Sequence, residues 1–231
     1  MTPASLGRAA LVTGGSSGIG LAIAGILLED GFDVTIASSN RKRIEAAATE
    51  LGNANAVVGD VSVERDCRRI VAAHQGRCGR LDVLVNSAGI LCQGSLEELP
   101  IADWDRQFAV NVRGTFLMAR LALPLLRASH GLIVNLASIA GKAANPGLGA
   151  YGATKAAVIL LTESLNAELE QDGVRAIAIC PGFVDTPMAS IASSPRDEMI
   201  RPADCAEIVR MALRLSRHAR VPEIILERAG P

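Results

Sequence analysis

Thr13-Gly14-Gly15-Ser16-Ser17-Gly18-Ile19-Gly20 is the stretch that decides how this chain folds. It follows the apolar run Ala9 to Thr13 and leads directly into Leu21-Ala22-Ile23-Ala24, an apolar helical start. A short apolar run, a glycine-rich turn and a helical pattern together open a βαβ unit. Glycines allow the tight strand-to-helix turn and let backbone N–H groups approach a pyrophosphate at the positive end of a helix. A plain serine-capped turn is the alternative for such a loop taken alone, and the position between the first strand and the first helix weighs against it. No Lys followed by Ser or Thr closes the loop, which excludes a nucleotide-hydrolysing P-loop. A dinucleotide site is the reading that remains.

Outward from the loop, short β-branched runs alternate with longer amphipathic stretches to the end of the chain. Strands are expected at Ala9 to Thr13, Asp33 to Ala37, Ala56 to Val58, Val83 to Asn86, Leu132 to Leu136, Val174 to Ile179 and Glu223 to Leu226. Helical patterns lie at Ile19 to Asp30, Arg41 to Leu51, Val63 to Gln75, Ile101 to Arg127, Tyr151 to Gln171 and Pro202 to Leu215. This predicts an α/β fold: a doubly wound, Rossmann-type parallel sheet of about seven strands with helices on both faces and right-handed crossovers. No linker, repeat or compositional shift divides residues 1–231, so one dinucleotide-binding and catalytic domain is expected. Pro124 should kink or break the fourth helical pattern. The weakly patterned Thr186 to Arg201 is expected to form a mobile lid.

Composition narrows the chemistry. With 231 residues and 49% of them apolar, the chain has ample material for a core. Its 23 Lys plus Arg against 24 Asp plus Glu give a formal charge of −1, so no basic field invites nucleic acid or an anionic membrane. Aromatic residues make up only 3%, too few for base-stacking platforms. The apolar runs are too short for a membrane span and no leader pattern precedes them, so the chain reads as cytoplasmic. Five scattered cysteines without a CxxC pair fit a reducing compartment and inert, mostly buried thiols. His74, His130 and His218 have no acidic partner at ligand spacing; no metal is expected, and these histidines read as solvated or capping residues.

The chain's single Tyr, Tyr151, stands four residues before Lys155, one of only three Lys, on a helical pattern that puts both on one face. Ser138 ends the fifth strand, with a loop-like stretch between it and Tyr151. Delivering hydride to a carbonyl develops negative charge on oxygen, and a proton must reach it without an open path to water. Tyr151 is the expected acid, and the Lys155 ammonium is expected to lower its pKa.

The spacing Thr-Gly-x-x-x-Gly-x-Gly, with Tyr-x-x-x-Lys and a Ser upstream, resembles the short-chain dehydrogenase/reductase family. Asn86-Ser87-Ala88-Gly89 resembles that family's Asn-Asn-Ala-Gly run, with one Asn replaced by Ser. The resemblance implies Ser138, Tyr151, Lys155 and Asn111 as catalytic residues. Lys155 would also hold the nicotinamide ribose, Ser138 would orient the substrate oxygen, and Asn111 would hold a proton-relay water. It further implies cofactor contacts from Gly14, Ser16, Ser17, Gly18, Ile19 and Gly20 in the loop, and from Asp60 and Val61 at the adenine. Asn86, Ala88 and Gly89 would follow along the cofactor, with Pro181, Gly182, Val184 and Thr186 around the nicotinamide. Asp60 also has the makings of a plain helix cap.

After the second strand, Ser38 stands where an NAD-selecting carboxylate is usual, so Ser38, Ser39, Asn40 and Arg41 are expected to take the 2′-phosphate of NADP. NAD is the alternative, since many NADP-selective relatives carry Arg at the place of Ser39 and a basic residue at that of Ser17. Leu91, Ile139, Leu148, Phe183, Met188 and Ile191 flank the reacting centre, which implies an apolar or acyl-type carbonyl or alcohol as substrate. Homodimer or homotetramer formation through the patterns Ile101 to Arg127 and Tyr151 to Gln171 is expected. The expected activity is reversible hydride transfer as a ketone reductase. An epimerase or dehydratase would need a larger C-terminal part, and a redox sensor or regulator without turnover is the reading from another class.

Overall fold

The computed structural model describes residues 7–191 and 195–229, with only the backbone given for Ser190 and Ile191. Seven strands are found among them: β1 Ala9–Thr13, β2 Asp33–Ser38, β3 Asn55–Val58, β4 Val83–Asn86, β5 Leu132–Leu136, β6 Arg175–Pro181 and β7 Glu223–Leu226. They form one parallel sheet in the order β3-β2-β1-β4-β5-β6-β7. On one face lie α1 (Gly18–Glu29), α2 (Arg41–Leu51) and α7 (Pro202–Arg214). The other face carries α3 (Glu64–Cys78), α5 (Thr115–Ser129) and α6 (Gly149–Glu168). Because helices cover both faces, β1, β4 and β5 are buried at every position, which is why they read as predominantly apolar runs without polar alternation.

The strand order turns back between β1 and β4. Chain leaving β1 goes to one face and chain leaving β4 goes to the other, which opens a crevice at their carboxyl ends. Thr13 and Asn86 end these two strands in register, and Asn135 of β5 stands beside Asn86. Thr13 Oγ1 donates to Val85 O and accepts from Ala88 N, both at 3.3 Å, tying the turn after β4 to the end of β1.

The fourth helical stretch departs from expectation. It comprises α4 (Ile101–Gln107), a π-helical segment Phe108–Gly114, and α5, while Pro124 sits inside α5 without ending it. Pro124 faces solvent, where the carbonyl its ring deprives of a partner can be hydrated. The irregularity falls instead at Asn111, in the middle of the π segment. The stretch Ile101–Ser129 is long and apolar enough to cross a membrane, but α5 packs against β4, β5 and α3 within the fold.

Arg210 is largely enclosed and pairs with Glu29, Asp30 and Glu207, joining α7 to the end of α1. His74, expected at the surface or as a cap, is fully buried. Its Nε2 faces Arg80 O at 3.0 Å and its Nδ1 faces Thr35 Oγ1 at 2.9 Å. A carbonyl can only accept, so Nε2 carries the proton and Nδ1 accepts from the Thr35 hydroxyl. His130 does cap: it ends α5 in the left-handed region, with Nδ1 at 2.8 Å from Asp172 O.

Burial holds the His74 pKa below its ordinary value of 6.5. The folded state therefore binds this proton less readily than the unfolded chain. The stabilisation is complete above pH 6.5 and is lost as pH falls through that value toward the depressed folded pKa. Thermal unfolding of the parent chain should show Tm declining from pH 7 to pH 5, and His74→Gln should flatten that decline. Parallel curves for the two proteins would exclude His74 as the titrating group.

Candidate active site

Two adjoining cavities occupy the carboxyl side of the sheet. The larger, about 540 Å³, runs along the crevice from Ser38, Ser39 and Asn40 past the glycine loop to Gly89 and Met188. The smaller, about 150 Å³, lies over the ends of β5 and β6. Ile19, Ser87, Gly89, Leu91, Thr186 and Met188 line both, so the two spaces meet.

The glycine loop shapes the larger cleft. Gly14 has φ +67°, and a Cβ there would lie 2.7 Å from Ala88 N, so only glycine lets the loop and the turn after β4 touch at this point. Ser17, at the start of α1, makes no side-chain cap, and the first turn of α1 holds no acidic residue. The N–H donors and positive end of α1 are thus left for an anion. At the far end, the Ser16 hydroxyl donates to Ser38 Oγ at 3.0 Å, joining the loop to the end of β2. Asp60 lines the cleft and also builds a local turn, with Oδ1 accepting from Ser62 N at 2.9 Å and Ser62 Oγ at 2.7 Å. It does not serve as a helix cap: α3 begins at Glu64 with Val63 at its N-cap and no side-chain cap bond.

The smaller cavity is where Ser138, Tyr151 and Lys155 converge. A 3₁₀ turn, Ile139–Gly141, lies directly on α6: a Cβ on Gly152 would sit 2.6 Å from Ala140 O, so this close approach needs glycine. It brings the Ser138 hydroxyl, which donates to Pro181 O at 3.4 Å, into the same pocket as the Tyr151 phenol. Ser138 Oγ also accepts from Ala140 N at 3.1 Å, which fixes its direction. Lys155 Nζ donates to Leu136 O at 2.6 Å and stands 5.6 Å from the centre of the Tyr151 ring.

The electrostatics differ from expectation. Burial pushes the Tyr151 phenol up to about 12, and the neighbouring Ser138 hydroxyl offsets only part of this. Burial also lowers Lys155 to about 8. In a site this enclosed, loss of water around each group outweighs the attraction expected between ammonium and phenolate. At neutral pH the phenol keeps its proton.

Asn111 lies behind this centre. Its Oδ1 accepts from Ile90 N at 2.8 Å, and its Nδ2 donates to Ile90 O at 2.9 Å and to Thr154 Oγ1 at 3.0 Å. Thr154 donates in turn to Tyr151 O at 2.7 Å, so the π segment, the loop after β4 and α6 form one bonded unit.

Gly14, Ser16, Ser17, Gly18, Ile19, Ser38, Ser39, Asn40, Asp60, Val61, Ala88, Gly89 and Thr186 line the larger cleft. Pro181, Gly182 and Val184 line the smaller, together with Leu91, Ile139, Leu148, Phe183 and Met188. The side chain of Ile191 and residues 192–194 of the expected lid lie outside what is described. The rest of that segment forms 3₁₀ turns at Pro187–Ile191 and Arg196–Glu198, closed at its base by a Val184↔Ile200 bridge and an Asp185–Arg196 ion pair of 3.1 Å.

Four expected site residues line neither cavity. Gly20 packs against Gly14 O beneath the loop, and Asn111 holds Ile90. Asn86 turns into the core, its Nδ2 donating to Asn135 Oδ1 at 2.9 Å while its own Oδ1 has no partner. Arg41 points away and pairs with Glu45 at 3.2 Å. Two positions further along α2, about 200° around the helix, Arg43 faces the cleft in its place. Arg43 was legible in principle, because Asn40 is the N-cap of α2 and the helical phase follows from it. Arg106 on the cleft wall and Asn145 in the smaller pocket left no comparable signal. Among the described residues no three of His, Cys, Asp and Glu come together as metal ligands.

Residues 8–197 match the family model described as short chain dehydrogenase. The chain belongs to the short-chain dehydrogenase family. It is 36% identical over 220 residues to an uncharacterized oxidoreductase of Staphylococcus aureus (strain USA300), covering 94% of this chain and 95% of that one. Among solved structures this short-chain dehydrogenase resembles an alcohol dehydrogenase of the archaeon Thermococcus sibiricus complexed with 5-hydroxy-NADP. The TM-score is 0.89 at 30% identity, over 96% of this chain and 97% of the other. A 3-ketoacyl-(acyl-carrier-protein) reductase of Brucella melitensis complexed with NADH gives 0.86 at 30% identity, over 94% and 96%.

The bonded unit around Asn111 yields a stability test. Asn111→Ala would leave the Ile90 N–H and C=O without their partners, at a cost of about 2–4 kcal/mol. Urea unfolding should report that loss, and a loss below about 1 kcal/mol would mean that other groups hold Ile90.

Proposed function

We propose that this short-chain dehydrogenase is a single catalytic domain that reversibly transfers a hydride between NADP(H), with NAD(H) the alternative, and a carbonyl or alcohol. The observation that carries this reading is the meeting of Ser138, Tyr151 and Lys155 at a pocket opening onto a dinucleotide-sized cleft. The nicotinamide supplies or accepts the hydride. Tyr151 donates the proton to the substrate oxygen, and Ser138 hydrogen-bonds the same oxygen and orients it. Lys155, still largely protonated at neutral pH with a pKa of about 8, holds the nicotinamide ribose hydroxyls. A phenol held protonated is set to donate, so the residues favour the reductive direction and a role as ketone reductase.

The lining of the smaller pocket, with Leu91, Ile139, Leu148, Phe183 and Met188, favours an apolar or acyl-type substrate. Phe183 and Met188 are 45% and 40% exposed at its rim, which leaves room for an extended chain. Exposed Phe116 on α5 and Leu160 on α6 support assembly into a dimer or tetramer through those helices, in a cytoplasmic setting.

The reading of NADP rests on α2. Arg41, Lys42 and Arg43 occupy its first turn, where the helix dipole repels cations. Among the described residues only Arg41 of the three has an acidic partner, Glu45. Cations gathered at the positive end of a helix beside Ser38, Ser39 and Asn40 make a place for a dianionic phosphate. The two structural relatives divide on this point, one complexed with an NADP derivative and the other with NADH.

Tyr151→Phe keeps the ring and removes the proton donor. Reduction of 4-phenyl-2-butanone with NADPH should fall by about a hundredfold or more while NADPH affinity stays within about twofold. Retention of more than a few per cent of the rate would overturn the assignment. On the cofactor side, Arg43→Ala should lower kcat/KM for NADPH by about tenfold and leave that for NADH nearly unchanged. Arg41→Ala should change neither. Equal losses with both cofactors in Arg43→Ala would reject a phosphate-pairing role.

A further inference from the structure

Gln107, the last residue of α4, is fully buried, yet no feature of the sequence marked it. Its Oε1 accepts from Cys92 N at 3.1 Å, while its Nε2 has no hydrogen-bond partner. A backbone N–H needs an acceptor, so the orientation of this amide is fixed by Cys92. One turn further on, Asn111 grips the N–H and C=O of Ile90. The two amides therefore hold the segment Ile90–Cys92 from one side, two residues apart. Among the described residues this segment has no backbone–backbone hydrogen bond to the sheet or to another loop.

Between the two gripped residues stands Leu91, which lines both the dinucleotide cleft and the smaller pocket. It forms part of the seam where a cofactor and a substrate would meet. An apolar side chain at 107 would fill the same space without burying an unpaired N–H, so the presence of an amide is explained by its acceptor half. From this we infer that Gln107 is a positioning residue which, through Cys92, sets how far Leu91 reaches into the seam and so selects substrate by size. The inference rests on the carbonyl-reductase reading of this pocket.

Because only the oxygen of the amide is used, Gln107→Glu should preserve the grip and Gln107→Leu should abolish it. The first measurement uses the ligand-free protein. Hydrogen exchange at the Cys92 amide should quicken about tenfold in Gln107→Leu, with the amides of β4 unchanged, and stay near the parent rate in Gln107→Glu. The second measurement compares 2-butanone with 4-phenyl-2-butanone. The ratio of kcat/KM for the bulky ketone over the small one should rise about fivefold in Gln107→Leu and hold its parent value in Gln107→Glu. In a Leu91→Ala background Gln107→Leu should leave the ratio unaltered, because the residue it acts through is gone.

A purely structural Gln107 would lower stability without moving the ratio, and that result, an unchanged Cys92 exchange rate, or additive effects in the double variant would each overturn the inference. If Gln107→Leu does not fold, Gln107→Met keeps the side-chain length with only a weak sulfur acceptor and carries the same expectations. If the parent turned over neither ketone, the failure would fall on the reductase reading. The exchange rates would still decide whether Gln107 holds the segment.

Discussion

The paired hydrogen bonds between the Asn111 side chain and the peptide groups of Ile90 are the contact on which the site depends. The loop after β4 leaves the sheet at the point where the chain changes face, and among the described residues it has no strand pairing beyond Asn86, only the Ala88 N–H bond to the Thr13 hydroxyl. Asn111 steadies it from a helix on the far side of the crevice, and its third bond, to Thr154, carries the same fixation into α6. One side chain thereby sets the distance between the wall of the dinucleotide cleft, at Gly89 and Leu91, and the helix that presents Tyr151 and Lys155. A buried amide with all its hydrogen bonds made is rigid, and a low-dielectric surrounding makes it costly to break.

Much of this architecture was legible because a parallel sheet covered on both faces writes its strands as plain apolar runs. β1, β4, β5 and β7 have the bounds read from sequence, and the glycine loop falls between β1 and α1 as its spacing implied. What stayed hidden depends on how elements turn and pack after they form. Arg41 and Arg43 are alike in sequence, and only the phase of α2 separates a residue paired with Glu45 from one on the cleft. His74 lies on the buried stripe of α3 with Cys67, Ile70, Val71 and Cys78, so its burial was carried by the helical spacing, while its partners on β2 and in the chain before β4 were not. The direction of the Tyr151 shift was misread for a related reason: spacing gives the neighbour, Lys155, and says nothing of the water removed from both.

The electrostatic layout of the crevice is graded along its length. At one end cations crowd the first turn of α2, and at the centre the bare N-terminus of α1 offers N–H donors without a competing carboxylate. At the other end the pocket is apolar, and burial drives its two titratable groups toward their neutral forms. The site thus favours negative charge where phosphates would lie and disfavours charge where chemistry would occur. Each end is built from backbone placement as much as from side chains, which is how a chain with a net charge of −1 presents a cationic pole.

The π segment Phe108–Gly114 constrains how this chain can change in length. Such a segment holds one residue more than an α-helix of the same rise would need, so deleting any single residue within it would restore regular winding at little cost to the helix itself. Because the surplus residue is taken up inside the segment, that repair would leave α4 and α5 close to their present phase and concentrate the change on the residues within it. Asn111 could then not hold its place against both Ile90 and Thr154. The loops at 92–100 and 142–148 have no such counting rule. A surplus residue that looks like a flaw in the helix is therefore a fixed number in the sequence, and insertions and deletions should be borne on either side of it but not within.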